Sequence, residues 1–246
     1  PQKIAFTPVK LSVNDQDELE NSWARTLQSN GFNEVMNNSL TSVKDETNAV
    51  RLLNPLSGDL AFMRKSLLEG LVGNAVYNIT RKNPDIKCFE LGKIYHKFES
   101  SEAYLDQREK KYEERKQLAL LITGRTYAEN WLMPKSASDF YMLKGYVKVL
   151  IDRLNLVIEE KSLEDERFGD ALEITANGKT IARLGKVSPK LLKEFDIDQD
   201  CFYAEIELET CQALRKTDSF KFVDIPKFNK IRRDLALLVD KNVYYA

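Results

Sequence analysis

Three carboxylates at alternate positions, Glu205, Glu207 and Glu209, close the apolar run CFYAEIEL. Paired carboxylates are common tools of proton transfer. Residues two apart on a strand share one face, so the same spacing also describes a solvated sheet edge, and that reading is preferred. His96 is the sole histidine. A catalytic triad or an imidazole metal site needs partners that are not found for it, so a surface or hydrogen-bonded place at a strand end is expected. Cys88, Cys201 and Cys211 fit neither zinc spacing nor a CxxC redox pair. Cys88 and Cys201 lie in apolar, strand-like contexts that suit buried, inert thiols in a reducing cytosol. Lys227, Lys230, Arg232 and Arg233 form a short basic cluster suited to a nucleic-acid backbone. In the charged stretch from Glu99 to Lys116, Lys110, Lys111, Arg115 and Lys116 are interleaved with Glu109, Glu113 and Glu114, which cancel the field. That stretch reads as a solvated connection. No P-loop, dinucleotide turn, nucleophile elbow or HExxH helix occurs.

The 246 residues suffice for a full core and for one large or two small domains. A net charge of −1 gives no global attraction for nucleic acid, so any RNA contact has to be local or carried by a partner. No apolar run reaches the length of a membrane span, and no signal peptide opens the chain. Beginning at Pro1 without methionine and stopping at Ala246 without a terminating feature, it reads as a segment of a longer protein.

The elements that carry these groups follow from periodicity. Asp15 and Glu18 make a capping box for a helix running to about Asn30, on which Leu19, Trp23 and Leu27 recur every four residues. Gly31 is its expected stop, and Phe32–Leu40 returns as a strand. Val50–Leu53 is a short apolar run ended by Asn54-Pro55. Ser66, with Glu69 as box partner, opens a helix to about Lys82 whose stripe is Leu68, Leu71, Val72, Ala75, Val76 and Ile79. Asn83-Pro84 stops it. Ile86–Tyr95 is a strand, and Gly92 inside it signals a bulge or a close approach by another group. Gln117–Thr123 is a strand, and Ser138 or Asp139 caps a helix with the stripe Phe140, Leu143, Val147, Leu150, Ile151 and Leu154. Ile181–Val187 and Cys201–Leu208 are strands, and between them Ser188-Pro189 opens a helix burying Leu191, Leu192 and Phe195. Leu235–Val239 alternates as a last strand with no partner sheet of its own.

Four stretches in order, LNPLS, MRKSLL, Asn78-x-x-Arg81 and FELGKIY, resemble the β subunit of bacterial phenylalanyl–tRNA synthetase. RKQLALLITGR, a tryptophan and DFYMLKGYVKVLI extend the likeness, which covers about Leu11 to Asp240. The resemblance implies an α+β fold: a class II aminoacyl-tRNA synthetase-like antiparallel sheet flanked by helices, over residues 1–218. Residues 219–246 would be a linker and the first strand of a truncated ferredoxin-like anticodon-binding domain.

The helix from about Asp17 to Asn30 looks like motif 1, the subunit-interface element of class II synthetases. Leu19, Trp23, Ala24, Arg25, Leu27 and Gln28 are therefore expected at or near an interface, although Trp23 fits core packing equally well. The proline expected after the motif 1 strand is replaced by Asn38. Phe89–Phe98 resembles the first strand of motif 2, but Tyr95-His96-Lys97-Phe98 lacks the arginine that catalytic members use on ATP. Where motif 3 would fall, the chain offers Glu205, Glu207 and Glu209, which repel a triphosphate, and no glycine for close backbone approach. The implied function is a non-catalytic scaffold that supports the catalytic α subunit in a cytoplasmic heterotetramer of two α and two β subunits. The segment would bind no cofactor; ATP and magnesium serve the holoenzyme, which also holds the tRNA. The alternatives are a diverged class II-like adenylating enzyme and an RNA-binding module acting through Lys227, Lys230, Arg232 and Arg233.

Overall fold

The computed structural model describes residues 15–42, 47–97, 112–127, 129–133, 135–215, 227–229, 231–238 and 240, with side chains from Glu18 onward. The chain divides into two units, residues 1–216 and 217–246. In the first, helix α1 (Asp15–Ser29) leads to the short strands β1 (Asn33–Glu34), β2 (Leu40–Thr41) and β3 (Phe62–Met63), then to helix α2 (Leu68–Ile79). The long strands β4 (Ile86–Lys97) and β5 (Tyr112–Thr123) precede helix α3 (Phe140–Asp152). Strands β6 (Glu159–Leu163), β7 (Phe168–Ala176) and β8 (Lys179–Val187) follow, then helix α4 (Pro189–Glu194), strand β9 (Cys201–Glu207) and helix α5 (Leu208–Leu214).

The local signals act as their chemistry requires. Gly31, at φ +82°, ends α1 with Gly31 N–H donating to the Gln28 carbonyl and Phe32 N–H to the Leu27 carbonyl, the paired bonds of a Schellman turn. Asp139 caps α3 by accepting from Met142 N–H at 2.7 Å, and Ser188 caps α4 ahead of Pro189. The start of α2 differs from expectation. Ser66 Oγ accepts from Leu68 N–H, while Glu69 stays exposed on the first turn and the helix ends at Ile79. Phe32–Leu40 is not one strand. Its ends pair as β1 and β2 and its middle is held by side chains. Val50–Leu53 contributes only a bridge, Arg51 to Phe62.

Seven strands form one sheet in the order β1-β4-β5-β9-β8-β7-β6, antiparallel throughout except for β1 beside β4. Phe89, Leu118, Leu120, Ile122, Ala204 and Ile206 meet α1, α3 and α5 on one face. Cys88, Ile94, Ala119, Leu121 and Tyr203 meet α2 and α4 on the other. Both faces of the sheet are thus covered by helices. Residues 98–111 lie outside the described part, but Tyr112–Lys116 belong to β5 rather than to a solvated connection. Within that strand Arg115 pairs with Glu113, and Lys116 donates to both oxygens of Glu20 at 2.6 Å. Between β5 and α3 the chain makes a hydrogen-bonded loop in which Asn130 Oδ1 accepts from Leu132 N–H and Met133 N–H. Trp131 at its tip is 94% exposed. Among the described residues of 217–246 there is no strand: Leu235–Leu238 belong to no ladder, and Val239 lies outside the description.

Candidate subunit interface and buried ion pairs

Helix α1 has two unlike sides. Leu19, Trp23 and Leu27 are buried in the chain's own core against Phe89, Leu118 and Leu150, so three residues expected at or near an interface have no surface to present. Their four-residue spacing describes a buried seam, and the surface it covers is this chain's own sheet. Trp23 Nε1 has no hydrogen-bond partner. Ala24 is 9% exposed, at the rim, and Arg25 and Gln28 are open to solvent. A groove of about 420 Å³ runs beside them, lined by Glu20, Ala24, Arg25, Gln28, Glu34 and Lys116. A second, of about 640 Å³, lies across the Asn21–Arg25 ridge and reaches Arg153. Both are open and lined largely by polar side chains, which suits a second macromolecule better than an enclosed small ligand.

On the opposite face of the sheet, Arg64 lies over Gly92. A Cβ at Gly92 would stand 2.4 Å from the guanidinium Nη2, so only glycine leaves room for it. This is the close approach that a glycine inside a strand signals; β4 and β5 pair without a bulge. Arg64 Nη1 donates to Glu90 Oε1 at 2.6 Å and Nε to the Lys93 carbonyl at 2.8 Å. Asn37 donates to the same carboxylate from its backbone at 3.2 Å and from Nδ2 at 2.7 Å. Asn74 Nδ2 donates to Asn37 Oδ1 at 2.9 Å. Glu90 is 1% exposed, so all of its compensation comes from these groups.

Two strands across from Glu90, at the same register level through Ala119, lies a second ionic cluster, and it corrects the solvated-edge reading of the glutamates. β9 is central in the sheet, between β5 and β8, and Glu205 is 3% exposed. Arg167 donates to both of its oxygens at 2.9 Å and grips Asp165 on the other side. Arg183 stands opposite Glu205 in the β8–β9 register and also donates to Glu173. Burial works against the charge of Arg167, but hydrogen bonds to Asp165 and Glu205 outweigh it and hold its pKa above the ordinary value. Burial pushes the Tyr203 phenol well up, and its hydroxyl reaches Glu205 at 3.3 Å. Glu207 is half-buried. Burial raises its pKa, opposed by Gln117 Nε2, which donates to it at 2.6 Å. Only Glu209 of the three is exposed. Arg167 and Asp165 escaped the sequence reading; the one signal was the alternation of Arg183 with apolar residues in β8.

The remaining candidates stay apart from these clusters. His96 sits half-buried near the end of β4, where burial and the Arg115 charge lower its pKa. All three cysteines are free and buried; burial pushes Cys88 and Cys211 up to about 12, which leaves them protonated and inert. Among the described residues, no three His, Cys, Asp or Glu side chains are placed to hold a metal ion. Among the described residues, no helix is long and apolar enough to cross a membrane. In the second unit Lys227, Arg232 and Arg233 are exposed, Arg232 lies 3.7 Å from Asp234, and Lys230 is outside the described residues.

Residues 1–208 match the family model described as the phenylalanyl tRNA synthetase beta chain CLM domain. The chain belongs to that family. It is 38% identical to the phenylalanine–tRNA ligase β subunit of Bacteroides thetaiotaomicron over 242 residues, 94% of this chain and 29% of that one. It is 36% identical to the Bacteroides fragilis β subunit over 249 residues, 96% of this chain and 30% of that one. The chain therefore spans about three tenths of the length of the curated relatives it matches. Among solved structures it resembles pyrrolysyl-tRNA synthetase from Desulfitobacterium hafniense, with a TM-score of 0.60, 16% identity, and coverage of 81% of this chain and 69% of that one. The fold is thus that of class II synthetases.

In this synthetase β-chain domain, two of the stretches that carried the resemblance meet in space. Arg64 of MRKSLL meets Glu90 and Gly92 of FELGKIY, and Asn74 joins them through Asn37. These groups serve the packing of the sheet.

Proposed function

We propose that this chain is the non-catalytic scaffold domain of a phenylalanine–tRNA ligase β subunit, supporting a catalytic α subunit in the charging of tRNA. The observation that carries the reading is the state of the sheet's second face. Its centre is filled by Leu67, Leu71, Tyr203 and the Arg64 guanidinium, and its arginines are engaged by internal carboxylates. A synthetase fold filled in this way has no free cation aimed at a triphosphate from Arg64 or Arg167. ATP and magnesium then belong to the α subunit's site, tRNA is held by the assembled enzyme in the cytoplasm, and the assembly is a heterotetramer of two α and two β subunits. The outer side of α1, with Arg25, Gln28 and the grooves that flank them, is the contact surface. Residues 1–218 are the scaffold. Residues 219–246 are the linker and opening strand of an anticodon-binding domain, where Lys227, Lys230, Arg232 and Arg233 make a weak RNA contact; the boundary between the two compact units, at residues 216 and 217, supports that division.

Sedimentation of the chain with the α subunit tests this directly. A complex weakened at least tenfold by Arg25→Glu supports the reading. An unchanged association constant moves the contact elsewhere, and saturable ATP binding by the chain alone in calorimetry overturns the non-catalytic assignment.

A further inference from the structure

The Arg64–Glu90 pair joins chain segments that are far apart in sequence. Asn37 and Glu90 are separated by 53 positions, Arg64 and Glu90 by 26, and Asn74 and Asn37 by 37. Taking both charges out of water costs about what their attraction returns, so an apolar filling of the same volume would serve stability equally well. What the ions add is direction, since each bond has one partner and a narrow angular range.

The segment that receives this direction is 35–39. Its flanks are tied by backbone bonds, Val35 N–H to the Phe89 carbonyl and Arg64 N–H to the Ser39 carbonyl. Between them Met36 and Asn38 are exposed, and the anchor is Asn37 on the Glu90 carboxylate. Gly70 lets α2 close over that anchor: a Cβ there would lie 3.0 Å from Asn37 Nδ2. Met36, 95% exposed, stands two residues beyond Glu34, which lines the groove beside α1.

We infer that the Arg64–Glu90 ion pair, seated over Gly92, is a conformational lock that sets the path of residues 35–39, and so the direction in which Met36 and the groove edge face a partner subunit. Its partner-facing half rests on the reading of that surface as the subunit contact; the lock itself does not.

Amide hydrogen exchange on the chain alone tests the lock. In the double variant Arg64→Met with Glu90→Leu, the amides of Val35, Leu40 and residue 64 should exchange at least tenfold faster. Those of Leu120 and Ala204 should keep their protection and the melting temperature should hold, although the bonds of Val35 and residue 64 use no altered side chain. Unchanged exchange at all three positions overturns the lock. So does a uniform loss of protection across the sheet, which would make the pair a plain source of stability.

Arg64→Ala supplies a second measurement that does not depend on the double variant. Methylguanidinium at millimolar concentration should restore protection at Val35 and Leu40, where equal sodium chloride does not; no rescue overturns the lock. If exchange accelerates as expected while association with the α subunit is unaffected, the lock stands and the interface reading falls.

Discussion

Between the sheet and helices α1, α3 and α5, the packing runs through Phe89, Leu120, Ala204 and Ile206 without a buried charge. The buried charged residues Arg64, Glu90 and Glu205 all lie on the reverse face, among Ala119, Leu121 and Tyr203. The same strands build both surfaces, one residue out of phase. The first face is held mainly by apolar area, with the half-buried Lys116–Glu20 pair at its edge, and tolerates volume-conserving replacements best. The second is held by partners that cannot be exchanged singly, because each buried charge depends on a named counter-charge. A sheet can therefore be adaptable on one side and exacting on the other.

The largest effect that would sharpen this contrast comes from removing one ion. Arg167→Leu leaves Glu205 buried with Arg183 at 3.8 Å as its nearest remaining cation, and should cost about 3–4 kcal/mol in urea unfolding. A loss below about 1 kcal/mol would return Glu205 to the solvated class that its strand spacing first suggested.

Leu120→Ala on the apolar face, where the side chain is fully buried, should cost about 2–3 kcal/mol. Following it with Leu120→Met should recover most of that loss, whereas Arg167→Lys should recover little, because lysine lacks the fork that holds Asp165 and Glu205 together. Equal recovery on both faces would break the comparison.

A smaller effect is tied to pH. Glu207 has its folded pKa raised by burial above the unfolded value. Its contribution to stability is therefore fully present below the ordinary carboxylate pKa and is lost as pH rises through the raised one. Glu207→Gln should flatten the fall in melting temperature over that interval and leave the acid side unchanged. A slope identical to that of the parent would show that the Gln117 amide cancels the burial. Smallest of all, Arg25→Glu on the outer side of α1 should move the chain's own stability by less than about 0.5 kcal/mol. A larger drop in melting temperature would place Arg25 in the packing of the fold.

What was legible in the sequence divides along the same line. Gly31, Asp139 and Ser188-Pro189 act within a few residues of themselves, and the stripes of α2 and α3 repeat a local period; all behave as read. Gly92 announced that something approaches it without saying that the visitor is Arg64, 28 positions earlier in a different element. Glu205 was misread because spacing tells which residues share a face, and not whether that face is covered. Its partner, Arg167, is separated from it by 38 positions and stands outside any strand. Leu19, Trp23 and Leu27 show the converse limit. The seam was plain, but a seam against one's own sheet and a seam against a partner are the same pattern until the sheet is placed.

The two tryptophans of the chain stand at opposite extremes: Trp23 sealed in the core with its indole nitrogen unbonded, Trp131 at the tip of the loop after β5 and 94% exposed. Indole emission follows the polarity of its surroundings. The folded protein should accordingly emit in two colours, a blue component shielded from acrylamide and a red one open to it. Unfolding merges the two, while anything that settles over the loop shifts only the red. The chain thus carries one optical gauge for its interior and another for its surface, and the two read independently without any label.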